Sequence, residues 1–75
     1  MAKKKPDSGV YRVTEVIGTS TVSWEDAAKV AIDQATKTLQ DLRVAEVLSQ
    51  DLKIEEGKVV AYRTKVRLSF RFHGS

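Results

Sequence analysis

Residues 59–72 read VVAYRTKVRLSFRF, and this stretch decides the fold. Val60, Tyr62, Val66, Leu68, Phe70 and Phe72 alternate with Arg63, Lys65, Arg67 and Arg71. Alternation at period two predicts a strand with one apolar, aromatic face and one cationic face. The β-branched and aromatic content supports the same assignment.

Working backward, Val44 to Glu55 forms a second long strand candidate. Only Glu56, Gly57 and Lys58 separate it from Val59. A three-residue loop with Gly in the left-handed position is a common hairpin connection. That loop sets Ile54 opposite Val60, Leu52 opposite Tyr62 and Leu48 opposite Val66. A one-residue slip would place Leu48 opposite Lys65, so the apolar pattern selects the first register. It also sets Asp51 opposite Arg63, a favourable cross-strand charge pair.

Further back, Val10 to Ile17 reads as a β-branched first strand, and Gly18-Thr19-Ser20-Thr21 as a loop. Ser23 is a good helix N-cap. Asp26 follows three residues later, as in a capping box, and Glu25 and Asp26 suit the positive end of the helix dipole. The helix is expected to run to about Leu42, with Ala28, Ala31, Ala35, Leu39 and Leu42 at helical spacing. Lys29, Asp33 and Lys37 fall on its other face. Trp24 occupies the first helical turn, where it is expected to pack on the preceding loop or contact a neighbouring subunit. The order is β-α-β-β, an α+β domain in which one helix packs on the apolar face of a three-stranded antiparallel sheet. Strands of about 12 residues are long for such a domain, so apolar residues should protrude beyond the helix.

The chain has 75 residues and no Cys, with 13 basic and 10 acidic side chains. A chain of this length buries roughly 60% of its unfolded surface, which makes a marginal monomer. Disulfides and thiolate zinc sites are excluded, and His73 is the only His. Oligomerisation is the remedy left. Lys3, Lys4, Lys5 and Asp7 lie in residues 1–8, read as a disordered basic tail before a single domain over 9–73. Without them ten basic and nine acidic residues remain, so the domain is nearly neutral. No apolar run is long enough for a membrane span, and the expected compartment is the cytoplasm.

No nucleophile–base set, carboxylate pair or phosphate-cradling Gly motif stands out, so the chain does not read as an enzyme. The cationic strand face could track a nucleic-acid backbone. Single-strand readers interleave aromatics with those charges, however, and here Tyr62, Phe70 and Phe72 lie on the opposite face. Glu15, Glu46 and Asp51 are the expected partners of the cations instead.

The segments Val-Ile-Gly-Thr-Ser at 16–20, Ser-Trp-Glu-Asp-Ala at 23–27, Val-Ala-Glu-Val at 44–47, Ile54 to Val59 and Tyr62 to Phe72 occur in the order and spacing of the dodecins. The chain resembles that family from Val10 to Phe72. The resemblance implies a sheet wrapped round one helix, and a homo-oligomer of twelve subunits forming a hollow shell. It also implies storage of a small ligand: an FMN- or riboflavin-type flavin, a coenzyme A-like anion or a divalent cation.

Two positions depart from the flavin-binding pattern that the resemblance implies. Val44 stands where that pattern has a Trp stacking on the flavin ring. Arg63 stands where it has a Gln contacting the flavin. Without a ring, a stacking contact of about 1–3 kcal/mol is lost. An arginine donates only, whereas the amide both donates and accepts. Flavin binding is therefore expected to be weakened or lost, and Arg63 to favour an anion. A Trp-less branch with Arg-Val-Ala here is calcium-binding, and Arg43-Val44-Ala45 is similar to it. The resemblance assigns no metal ligand. A ligand-free structural shell and a calcium-binding dodecamer are the alternatives.

Overall fold

The computed structural model describes residues 9–72. The reading of residues 1–8 as a disordered tail lies outside them, as does His73. The elements are β1 (Tyr11–Ser20), α1 (Trp24–Ala35), β2 (Leu42–Glu55) and β3 (Lys58–Arg71). The sheet is antiparallel with strand order β1-β3-β2, so the alternating strand is the central one. Its central place explains why Thr64, Val66 and Leu68 are fully buried while β2 is mostly exposed.

β1 runs three residues further than expected. Gly18, Thr19 and Ser20 pair with Thr64, Arg63 and Tyr62 instead of forming a loop. A side chain at Gly18 would collide with the Ala27 carbonyl oxygen and come within 2.9 Å of the Ala31 Cβ. Here glycine marks a close approach of helix to strand, not a turn. The buried helix stripe is Ala27, Ala31 and Ala35. Ala27 takes the place expected of Ala28, which is only partly buried.

The helix begins as expected. Ser23 Oγ accepts from the Asp26 amide at 2.9 Å. The Asp26 carboxylate does not reach back to close a capping box; it accepts from Ser20 Oγ at 2.6 Å, tying the helix to the end of β1. The helix ends at Ala35 and not near Leu42. The Thr36 and Thr38 hydroxyls bond back to the carbonyls of Asp33 and Ala35. Such local bonds compete with helix continuation. Asp41, at φ 60°, then reverses the chain into β2.

The hairpin turn holds two residues, not three. Glu56 and Gly57 both have positive φ, 51° and 75°, and Glu55 pairs with Lys58. Two positive φ values match the twist of the flanking strands. The Leu52–Tyr62 and Asp51–Arg63 pairs form as expected. Ile54 pairs with Val59 instead of Val60, and Val66 meets Val47 instead of Leu48. Register shifts at Lys53/Ile54 and Val47/Ser49 absorb the differences, and a third lies at Leu42/Val44. Each bulge adds a residue on one strand and bends the ribbon.

Candidate ligand site on the outer sheet face

The sheet face turned away from α1 is built in rows across three strands. Residues directly opposite one another share a face. Val13, Ser69 and Val44 form one row. Glu15, Arg67 and Glu46 form the next, then Ile17, Lys65 and Ser49, then Thr19, Arg63 and Asp51.

The cations of these rows are matched by carboxylates. Arg63 makes a two-pronged contact with Asp51, Nε to Oδ1 at 2.7 Å and an η-nitrogen to Oδ2 at 3.0 Å. Arg67 bridges strands, reaching Glu15 at 3.1 Å and Glu46 at 3.4 Å. Lys65 lies 3.8 Å from Glu15. The hydrogen bond from Arg63, and secondarily its charge, hold the Asp51 carboxyl below the usual carboxylate range. The same pairing raises Arg63 further. Arg63 therefore already has an anion, supplied by its own chain.

Val44 and Arg63 share the outer face but not a site within one protomer. Their rows are six residues apart along β3, about 20 Å at the usual strand rise. Any pocket using both takes them from different copies. The Val13–Ser69–Val44 row has no ring, and Val44 is exposed. The arrangement does not fit a stacked flavin in one chain.

Trp24 packs on the hairpin. Its ring meets Tyr62 edge-on, with centroids 5.1 Å apart. Its indole N–H donates to the Asp51 carbonyl at 3.0 Å. The buried Thr64 hydroxyl donates to the Trp24 carbonyl at 2.9 Å. Asp51 is thus held by Trp24 through its backbone and by Arg63 through its side chain. The sequence marks Thr64 only as a polar residue between Tyr62 and Val66 on the apolar face.

Among the described residues no cluster of three or more acidic or His side chains could hold a metal ion. No helix there is long and apolar enough to cross a membrane. A concavity of about 300 Å³ between β1 and α1 has no charged lining: it includes Val16, Ile17, Val30 and Gln34.

A family model described as Dodecin matches residues 10–73. The chain is 42% identical over 62 residues to the calcium dodecin of Mycobacterium tuberculosis, covering 83% of this chain and 87% of that one. The solved dodecin of Streptomyces coelicolor superposes with a TM-score of 0.83 at 36% identity, over 92% of this chain and 99% of that one. A solved calcium dodecin from M. tuberculosis, described as calcium chelating with a novel calcium-binding site, gives a TM-score of 0.77 at 43% identity. It is covered to 96% and this chain to 89%.

Proposed function

The chain belongs to the dodecin family, and on that premise we propose that it is a self-assembling, dodecameric protein that binds and stores a small ligand, with flavin binding weakened or lost. The shell is hollow and cytoplasmic, and its role is binding, not catalysis. The Val13–Ser69–Val44 row carries the flavin part of this reading. Val44 offers no ring to stack on, and Arg63, which replaces a neutral amide, is engaged by Asp51.

Riboflavin titration followed by flavin fluorescence tests the reading. Weak or absent quenching is expected, and quenching with nanomolar affinity contradicts it. Val44→Trp restores a π-face and should tighten binding about tenfold or more, the worth of one aromatic stack. An unchanged affinity would reject Val44 as the stacking position.

A second reading, a divalent-cation dodecamer, is favoured by the likeness to calcium dodecin. Since no acidic cluster forms within the described residues of one chain, the cation would sit where carboxylates of several copies meet. Calcium held through dialysis and released by a chelator supports this reading; none held rejects it.

A further inference from the structure

We infer that the hairpin tip of one copy seats Ile54 and Val59 in the cleft between β1 and α1 of a second copy, in a head-to-tail contact. The tip is the ribbon beyond the Leu52–Tyr62 pair, which on β2 is Lys53 to Glu55, about 10 Å at the usual strand rise.

The chain's own helix does not cover this ribbon. α1 begins at Trp24, whose ring meets Tyr62. Ile54 stands two residues past Leu52 and so shares its face. Val59 pairs with Ile54. The two side chains therefore continue the face on which α1 lies, past the point where the helix starts, and both are exposed. The turn that carries them is slender. It holds only Glu56 and Gly57, and nothing lies within 4 Å of where a Gly57 side chain would stand.

The cleft has the matching chemistry. Its space of about 300 Å³ lies beside the small residues Gly18, Ala31 and Ala35, with Val16, Ile17 and Val30 around them. β1 is an edge strand, so the cleft opens at the side of the sheet. Ile17 and Val30 are both exposed there. On α1, Asp33 adjoins the cleft residue Gln34, and Lys58 follows the turn at the tip. Both are exposed and neither has a partner among the described residues. The apolar contact thus has opposite charges available at its rim.

The occupant is another copy because one chain cannot fill its own cleft. Val30 lies six residues into α1 from Trp24, about 9 Å along the helix. The tip extends past Trp24 in the other direction. The surface that gives and the surface that receives differ, so the contact is heterologous, and repetition closes it into a ring. This contact rests on the self-assembly proposed above and names the two surfaces that meet in it.

The absence of Cys makes the contact testable by cross-linking. Ile54→Cys and Val30→Cys are combined in one chain, where the two positions lie beyond the Cα separation of about 7 Å that a disulfide spans. Under mild oxidation the double variant should give linked products of two and more chains on a non-reducing gel. Each single variant should stay unlinked. Ile54→Asp should lower the native mass of the assembly while helical circular dichroism persists. Linked pairs from Ile54→Cys alone would mean that tip meets tip, and would overturn the assignment. So would an unlinked double variant, or an unchanged native mass in Ile54→Asp. If the double variant loses the parent's native mass, Val59→Cys with Gln34→Cys takes its place under the same criteria. The parent's native mass separates the two readings. A twelve-chain parent without cross-links rejects this contact alone, whereas a monomeric parent rejects the assembly as well.

Discussion

At the scale of single residues, Arg63 is the position whose meaning changes most between sequence and structure. In the sequence it is a candidate anion receptor in a nearly neutral domain, already set opposite Asp51 by the hairpin register. In the fold its fork closes on Asp51. Asp51 is also fixed by Trp24, whose ring rests on Tyr62. The pair is exposed, so its worth is modest and falls with salt. Its pH dependence has a definite sign. Asp51 is held below its ordinary value of 3.8. The contribution is therefore complete above that value and disappears as pH falls through the depressed one. The stability gap between the parent and Arg63→Gln should stay constant from about pH 5 to 8 and narrow below about pH 4. Denaturant midpoints at pH 7 and pH 3 measure it. A gap unchanged at pH 2.5 or so would mean that Asp51 does not carry the pairing.

At the scale of elements, the contact of α1 with β1 depends on what is missing from the side chains. Gly18 and the Ala27–Ala31–Ala35 stripe leave room for the helix to lie almost on the strand backbone. Gly18→Ala forces backbone apart, and overpacking of this kind costs about 1–3 kcal/mol. We expect a matching fall in the unfolding midpoint and weaker assembly; an unaltered midpoint would show that the helix can shift at no cost. This contact also shows where the sequence was legible. The alternation of Tyr62 to Phe72 and the Ser23 cap mark the central strand and helix start, because both follow from local period and local hydrogen bonds. Gly18 reads locally as a turn residue, and only the helix packed above it makes it a strand residue. The expected register forms at Leu52–Tyr62 and Asp51–Arg63, whereas bulges displace Ile54 and Leu48 from it. Bulges leave no mark on a period-two pattern beyond an extra residue, and the positive φ of Glu56 defies the usual turn preference for Gly or Asn. The outer-face partners Glu15, Glu46 and Asp51 are foreseeable from charge, and the separation of Val44 from Arg63 follows from the expected Asp51–Arg63 pair, since Val44 lies seven residues from Asp51 on one strand.

At the scale of the molecule, one chain is too elongated to be complete. The helix has 12 residues and each hairpin strand 14. At their usual rises these span about 18 Å and about 46 Å, so the helix covers less than half of the hairpin. Ile54, Val59 and Val60 project beyond it, Ile54 with 61% of its surface exposed. Val66 and Leu68 are the large aliphatic side chains fully buried, whereas twelve large hydrophobics are exposed among the described residues. The radius of gyration is 15.8 Å, against roughly 11 Å for a compact chain of this length. So many exposed large hydrophobics beside so small a buried core make a marginal monomer. Copies of the same chain cover it in the proposed shell. Native mass spectrometry tests this most directly: the account predicts one species of twelve 8.4 kDa chains, about 100 kDa, persisting on dilution. A folded monomer of 8.4 kDa at micromolar concentration would contradict it.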